Sequence, residues 1–290
     1  MNPYRHFVSE FARVVCEGAD CPLGGIVAPA HTPPAADAPV ALIFSPHPDD
    51  EAITGGLALR LLRECGWNVI NVALTLGSKP ERRAERLEEL KGACGFLGFG
   101  LLPAAPGGLE KVSVATRTNQ SEFWSASVGI VADIIRQRRP RVIFFPHKRD
   151  WNSTHIGAHW LVADALREVD GLSCYLVETE YWGQMASPNL LVEYRLEDVA
   201  DLVAAVSFHA GEVRRNPYHL RLPAWLQDNA RRGGELVGGQ GKAAPDFVFA
   251  QLFRMRRWRS GRMERCISGG RYLSAAVSAD EVFGLSPILV

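Results

Sequence analysis

The stretch that decides the fold reads Phe44-Ser45-Pro46-His47-Pro48-Asp49-Asp50-Glu51. The apolar segment 40–44 carries no charge, which is typical of a strand buried on both faces of a sheet. Residues 52–62 predict a helix, despite the glycines at positions 55 and 56. Open α/β sheets bind ligands in the turn at the carboxyl end of such a strand. One imidazole and three carboxylates in this turn call for a neutralising cation, so we interpret the turn as half of a metal site.

Predicted strands and helices alternate along the rest of the chain. Strands are predicted at 68–76, 99–102, 141–146, 175–182, 191–195 and 247–258. Helices are predicted at 80–97, 121–138, 154–169, 198–209 and 225–236, with Ser121 capping the second. The order up to residue 190 predicts a Rossmann-like, doubly wound α/β fold, with a mainly parallel sheet and helices on both faces. The change of pattern after residue 190 predicts a C-terminal α+β extension.

The predicted organisation is one main domain behind a short N-terminal segment. Residues 1–39 comprise a helix, with Phe7 and Phe11 on one face, and a Pro/Ala-rich connector that is expected to lie on the surface. This helix is too small to form a core of its own. A single domain is predicted from there to the end, divided into three parts: a core at 40–190, a substrate-pocket extension at about 191–258 and a tail at 259–290.

The composition limits the classes of partner. Lysine plus arginine and aspartate plus glutamate number 32 each, which argues against a nucleic-acid-binding surface. No apolar run has transmembrane length, and the N-terminal residues lack an apolar signal core, so no membrane partner is expected. The six cysteines are scattered and form no Cys-x-x-Cys pair, which is typical of a reduced protein. We therefore predict a cytoplasmic location.

The metal site needs a third protein ligand, since hydrolytic zinc sites use three and leave one position open for water. His47 and Asp50 are three positions apart, so both side chains can face one point across the turn. The third ligand is expected at another strand end, in the segment 147–159 directly after the strand 141–146. This segment offers three histidines, among which spacing alone does not choose: His147, His155 and His159.

The run His47-Pro48-Asp49-Asp50-Glu51 after a first strand resembles the PIG-L/LmbE-like family of metal-dependent N-acetylglucosamine deacetylases, and the resemblance extends from about residue 40 to about residue 258. The family's second motif is His-Pro-Asp-His, with the last histidine as ligand. Asn152-Ser153-Thr154-His155 falls in its place, so the resemblance implies His155 as the third ligand. Zinc is the implied metal, although these ligand types also accept other divalent transition metals.

Two catalytic residues are predicted beside the ligands. Asp49 can accept a proton from the attacking water without being a ligand itself, and the resemblance gives the same role to the Asp after the His-Pro pair. Asn152 stands where the family often has a histidine. We interpret Asn152 as a hydrogen-bond donor to an oxyanion or to a sugar hydroxyl. Glu51, by contrast, is expected to be structural, as a first-turn residue favoured by the helix dipole.

Arg86 is predicted to face the substrate, because Arg86-Leu87-Glu88-Glu89-Leu90 looks like the family's Arg-x-x-Glu-Leu helix. Arg82 and Arg83 lie one turn earlier and compete for this role. On the residues alone, most of these arginines belong to a solvated helix face.

Tyr218 and His219 are predicted to bind the sugar face and its hydroxyls. They lie in a long polar stretch, 209–225, of the kind that usually forms a pocket wall or lid. The segments 215–225 and 231–235 look like the deacetylase-type domains associated with glucosamine-6-phosphate deaminases.

These features together predict a metal-dependent hydrolase that removes the N-acetyl group from an N-acetylglucosamine-type sugar. Its partner would be a small amino-sugar substrate, and since family members are often oligomeric, we also predict a homo-oligomer. Two alternatives remain: a hydrolase of another amide or of a phosphate substrate on the same metal, and a non-catalytic sugar-binding module. The presence of Asp49 argues against the module, because binding alone requires no base beside the metal.

Overall fold

The computed structural model describes residues 2–284, which form ten α-helices and nine strands. The helices are α1 (Tyr4–Gly18), α2 (Asp50–Ile53), α3 (Gly56–Cys65), α4 (Arg83–Leu97), α5 (Val114–Asn119), α6 (Ser121–Arg138), α7 (Ser153–Arg167), α8 (Leu196–Ser207), α9 (Ala210–Val213) and α10 (Tyr218–Leu236). The strands are β1 (Val40–Ser45), β2 (Asn68–Ala73), β3 (Gly100–Pro103), β4 (Val142–Pro146), β5 (Cys174–Thr179), β6 (Leu190–Glu193), β7 (Ala250–Arg259), β8 (Arg262–Arg265) and β9 (Arg271–Leu273). Short 3₁₀ helices occupy Pro80–Arg82 and Ala279–Phe283.

All nine strands belong to one sheet with the order β3-β2-β1-β4-β5-β7-β6-β9, and β8 pairs with β7 beside this path. Neighbouring strands from β3 to β5 are parallel, whereas β7 runs antiparallel to both β5 and β6. The mainly parallel sheet predicted from the sequence is confirmed. The strand order reverses between β1 and β4, and at such a point open α/β sheets bind ligands beyond the carboxyl ends of the strands.

The side chains of β1 alternate between two cores, one on each face of the sheet. Ala41 and Ile43 join the core formed with α3, α4, α8 and α10. Leu42 and Phe44 join the core formed with α6 and α7. Helices therefore cover both faces of the sheet, as predicted, and this explains why β1 is apolar from Val40 to Phe44.

The helix predicted at 52–62 is in fact two helices, α2 and α3, separated by a tight turn. A Cβ atom on Gly55 would lie 2.0 Å from the carbonyl oxygen of Glu51, and one on Gly56 would lie 2.3 Å from the ring of Tyr194. Only glycine permits approaches this close. The apolar period continues across the break, so the sequence pattern does not reveal it.

Other elements also differ from the prediction. Gln120, not Ser121, occupies the N-cap position of α6, and its side chain makes no capping hydrogen bond. The helix predicted at 225–236 begins earlier, at the start of α10, because its first half also has a buried face. Residues buried at four-residue spacing on this face are Tyr218, Leu222 and Leu226.

The two ends of the chain add peripheral elements. The predicted N-terminal helix is present as α1, but it buries no residue, and Phe7 and Phe11 are 67% and 44% exposed. The segment predicted as a tail, 259–290, contributes β8 and β9 to the sheet, and its residues 285–290 lie outside the described part of the chain. Within residues 2–284, no helix combines the length and the apolar character needed to span a bilayer.

Candidate metal centre

The turn after β1 is held by its own carboxylates. The backbone N–H of His47 donates to Oδ2 of Asp50 at 2.9 Å, and the N–H of Asp49 donates to Oε2 of Glu51 at 2.9 Å. Asp49 has φ = 119°, in a region that residues other than glycine rarely adopt. Strained backbone of this kind persists where the surroundings hold it and is concentrated at functional sites.

A second polar turn positions His155 at the carboxyl end of β4. Asn152 is the N-cap of α7, and its Oδ1 accepts the backbone N–H groups of Thr154 at 2.9 Å and His155 at 3.4 Å. The N–H of Asn152 in turn donates to Oδ1 of Asp150 at 2.9 Å. These bonds fix His155 in the first turn of α7, beside the turn that follows β1.

The two turns bring together His47, Asp50 and His155, with one possible ligand atom of each residue within 4.8 Å of the others. Oδ2 of Asp50 lies 3.3 Å from Nε2 of His155 and 3.5 Å from Nδ1 of His47. Oδ1 of Asp50 and Nε2 of His155 are buried and have no hydrogen-bond partner among residues 2–284. Because buried polar atoms are rarely left unpaired, these two atoms fit a bound cation. The group could hold a metal ion that accepts imidazole and carboxylate ligands.

Asp150 lies behind the His155 ring, with its Oδ2 3.4 Å from Nδ1. A carboxylate in this place orients a metal-ligating histidine and strengthens it as a ligand. Asp150 is not among the site residues predicted from the sequence. Its position two residues before the N-cap of a histidine-bearing helix is the signal that could have identified it.

The other two candidate histidines of this segment have different partners. Nε2 of His147 lies 2.8 Å from the carbonyl oxygen of Gly183, and Nδ1 of His159 lies 3.0 Å from that of Pro146. Burial lowers the pKa of His159 to about 4, so its ring is neutral. Among the described residues, the structure places neither histidine in the group with His47 and Asp50.

Burial and neighbouring charges shift the pKa values of this group strongly. Burial would raise the pKa of Asp50, but His155 and His47 outweigh it and hold this pKa well below its usual range. Burial lowers the pKa of His155, yet Asp50 and Asp150 raise it to about 10. For Asp49, burial first and the charge of Asp50 second raise the pKa well above its usual range. Since a ligating histidine must be neutral, a metal ion would compete with the proton on His155.

A buried ion pair stabilises the turn that follows β1. Nε2 of His209 lies 2.8 Å from Oε1 of Glu51, and both side chains are fully buried. Burial alone would lower the pKa of His209, but Glu51 outweighs burial and raises it. Glu51 thus bridges His209 and the backbone N–H of Asp49, which agrees with the structural role expected for Glu51. No local signal in the sequence connects these two residues, which are 158 positions apart.

We expect His209→Ala to lower the free energy of unfolding by about 3 kcal/mol, because it leaves the Glu51 carboxylate buried without its partner. Urea denaturation at neutral pH measures the change. His6→Ala, at an exposed position of α1, is the matched control and should match the parent within about 0.5 kcal/mol. Equal stability of the two variants would contradict the role assigned to the pair.

A cleft of about 1060 Å³ lies beside the candidate metal group and is lined by His47 and Asp49. Arg86, Asn152 and Tyr218 line the same cleft. The structure therefore places a predicted ligand, the predicted base and three further predicted site residues around one cavity. The volume is at the upper end of what small-molecule sites occupy.

The structure shows where the residues predicted to bind the substrate lie relative to the cleft. Nη2 of Arg86 donates to the carbonyl oxygen of Pro48 at 3.0 Å, which ties α4 to the turn after β1. His219 is buried but is not among the residues that line the cleft. Successive helix residues point about 100° apart, and here Tyr218 lines the cleft while the side chain of His219 points elsewhere. Trp182 also lines the cleft, edge-on to Tyr218 at a centroid distance of 5.3 Å, and was not predicted from the sequence as a site residue.

A family model described as PIG-L, GlcNAc-PI de-N-acetylase, matches residues 42–166. This range runs from β1 into α7, and it contains the His–Asp–His group and Asp49. A comparison with curated proteins found no matching sequence.

Several solved structures are similar to this chain. The N,N'-diacetylchitobiose deacetylase from Pyrococcus horikoshii is 17% identical, with 86% of this chain and 92% of that chain covered and a TM-score of 0.53. The deacetylase of A40926 pseudoaglycone is 18% identical, with 77% and 99% covered and a TM-score of 0.54. The 4-carboxy-2-hydroxymuconate hydratase GalB from Pseudomonas putida KT2440 is 18% identical, with 75% and 95% covered and a TM-score of 0.55.

These likenesses establish the fold class. The protein has the α/β fold that the deacetylases share, which confirms the class predicted from the sequence. A hydratase has a similar fold, so the fold by itself does not select the reaction. The side chains of the site determine which reaction the fold supports.

Proposed function

We propose that this chain is a PIG-L-family, metal-dependent N-deacetylase that removes the acetyl group from an N-acetylglucosamine-type sugar. The observation that carries the proposal is the pair of buried, unpartnered ligand atoms on Asp50 and His155, next to a cleft lined by His47 and Asp49. The match of the family model to residues 42–166 and the similarity to deacetylase structures support the same reaction.

His47, Asp50 and His155 would hold the metal, for which we propose zinc. When bound, such an ion polarises a carbonyl group and lowers the pKa of water. Asp150 orients the His155 ring from behind, and the hydrogen bond from the His47 backbone orients the Asp50 carboxylate.

Asp49 is the proposed general base. Among the hydrogen bonds of residues 2–284, none uses its carboxylate, so the group is free to accept a proton from the attacking water. As the water oxygen bonds to the acetyl carbon, Asp49 takes the proton. Asp49 then returns this proton to the sugar nitrogen as the carbon–nitrogen bond breaks. Acetic acid and the amine result, and at neutral pH they leave as acetate and an ammonium ion.

Asn152 is proposed to stabilise the oxyanion that develops on the acetyl oxygen. Its Oδ1 is occupied by the N-terminus of α7, so the side chain can offer the cleft only its amide N–H groups. An N–H donor is the group that a developing oxyanion requires. The position that the family often fills with histidine therefore keeps a donor, although a neutral one.

The cleft also supports the proposed sugar contacts. Arg86 and Tyr218 line it, and Trp182 adds an aromatic face next to Tyr218. Arg86 is the only one of these that is also bonded to the turn carrying Asp49. His219 is proposed as a packing residue rather than as a sugar contact. Three further points stay predictions. They are the similarity of segments 215–225 and 231–235 to deaminase-associated domains, the cytoplasmic location and the homo-oligomer.

The proposal is tested by acetate release from N-acetylglucosamine, its 6-phosphate and N,N'-diacetylchitobiose. Protein loaded with one zinc per chain is expected to release acetate from at least one of these sugars. Treatment with a chelator should abolish the release, and added zinc should restore it. If zinc is bound at one per chain and none of the sugars yields acetate, the proposed reaction on simple amino sugars is wrong.

A further inference from the structure

The cleft beside the candidate metal group carries an excess of positive charge. Its lining contains six lysines and arginines but only three carboxylates. The cations are Lys79, Arg82, Arg83, Arg86, Lys111 and Arg215, and the carboxylates are Asp49, Glu110 and Glu212. The whole chain has equal numbers of acidic and basic residues, so this excess is a local property of the cleft.

Ion pairs neutralise only part of this charge. Arg83 pairs with Glu110 at 2.9 Å. Glu212 is shared by Arg82 at 2.8 Å and Arg215 at 2.6 Å. No carboxylate of the described residues lies within 4 Å of the side-chain nitrogens of the three remaining cations, Lys79, Arg86 and Lys111.

The arginines are placed where they repel one another. Arg82 and Arg83 precede Arg86 by four and three residues at the start of α4, so each of them lies about one helical turn from Arg86 and near its side chain. The start of a helix is also the positive end of its dipole, which disfavours cations. One nitrogen of each guanidinium is buried and finds no hydrogen-bond partner in the described part of the chain: Arg82 Nη2, Arg83 Nε and Arg86 Nε. An anion in the cleft would relieve the repulsion and supply acceptors for unpaired donors.

We propose that the substrate carries an anionic group, in the simplest case a phosphate ester, and that Lys79, Arg86 and Lys111 bind it. Arg86 joins this subsite to the reaction centre, because it also donates to the carbonyl oxygen of Pro48 in the turn that carries Asp49. The inference rests on the proposed function, since it names the class of amino sugar that the deacetylase acts on.

The shape of the site favours a small molecule over a charged surface. The cations line a concave cavity, and its wall also contains the aromatic side chains of Trp151 and Trp182. Aromatic faces suit a sugar ring, while the cations suit a phosphate on the same molecule. A substrate of this kind would occupy more of the cleft than N-acetylglucosamine alone.

The first experiment compares acetate release from neutral and phosphorylated substrates. We expect kcat/KM for N-acetylglucosamine 6-phosphate or 1-phosphate to exceed that for N-acetylglucosamine by about tenfold or more. UDP-N-acetylglucosamine, a diphosphate diester without a terminal phosphate, shows whether the subsite requires a phosphomonoester. The preference should decrease as the salt concentration rises, because salt screens the attraction.

The variant K79A/K111A tests the subsite directly. Both lysines are exposed, so the variant should fold. We expect the ratio of kcat/KM between phosphorylated and neutral sugar to fall by about tenfold or more. Lys91→Ala is the matched control, since Lys91 lies on α4 outside the cleft and pairs with Glu88. This control should keep the ratio of the parent.

Calorimetry measures anion binding at the subsite independently of the deacetylation reaction. N-acetylglucosamine 6-phosphate and inorganic phosphate are titrated into the parent, K79A/K111A and K91A proteins, with and without zinc. Binding that weakens in K79A/K111A but not in K91A supports the subsite, even if no sugar releases acetate and the proposed reaction is wrong. Acetate release without preference for phosphorylated sugars, together with equal phosphate binding by all three proteins, would overturn the subsite and leave the deacetylase intact.

Discussion

Asp49→Asn is expected to lower kcat for acetate release by about 100- to 10,000-fold, the range that a general base usually contributes. Asparagine cannot take a proton from the attacking water, so the substitution removes the proposed chemical step. Asparagine is among the residues that best tolerate positive φ, so it should preserve the turn, in which Asp49 has φ = 119°. Zinc content should remain at one per chain, because Asp49 is not one of the proposed ligands.

Two measurements make this prediction specific. Acetate release gives kcat, and elemental analysis gives the zinc content of the same preparation. Asp37→Asn, in the exposed connector, is the matched control and should behave as the parent does. A value of kcat for Asp49→Asn within about tenfold of the parent would remove Asp49 from the role of base. Loss of zinc from this variant would instead make Asp49 part of the metal site.

His155→Ala is expected to weaken zinc binding by more than about 100-fold and to abolish acetate release. Only three protein ligands are proposed, and loss of even an outer-shell partner of a ligand typically costs 10- to 100-fold in affinity. Competition with a chromophoric chelator measures the affinity. Zinc should raise the melting temperature of the parent but not that of His155→Ala, because a ligand stabilises only a folded state that binds it.

His159→Ala is the matched control for this variant. His159 lies one helical turn further along α7, is equally buried and contacts the carbonyl oxygen of Pro146 at the end of β4. Its substitution should reduce stability while leaving zinc affinity unchanged. The opposite result, zinc lost from His159→Ala and retained by His155→Ala, would show that the wrong histidine has been assigned.

Much of the fold could be predicted because its signals are local. The apolar segment of β1 must be buried on both faces, and the repeated strand–helix order leaves few topologies other than a doubly wound sheet. The direction of β7 could not be predicted in this way. An apolar strand has the same pattern in a parallel and in an antiparallel pair, and only its hydrogen bonds to β5 and β6 show that it is antiparallel.

The candidate site was partly predictable for a related reason. Carboxyl ends of neighbouring parallel strands meet at one edge of a sheet, so polar residues after β1 and β4 had to come close together. That rule predicts that the third metal ligand lies in the segment 147–159, but it does not choose among the three histidines of this segment. The resemblance to a family favoured His155, and the structure brings this histidine, rather than His147 or His159, near Asp50.

The residue types at the ends of β1 and β4 follow from the sequence alone, since local pattern and spacing specify a strand, a turn and a helix start. Only the tertiary structure decided which distant side chains meet there. It joined His209 to Glu51, directed Tyr218 but not His219 towards the cleft, and gathered the cations of three separate segments around it. The physical reason is that such contacts depend on how helices pack against the sheet and on the direction of each side chain, and neither is encoded in the spacing of neighbouring residues.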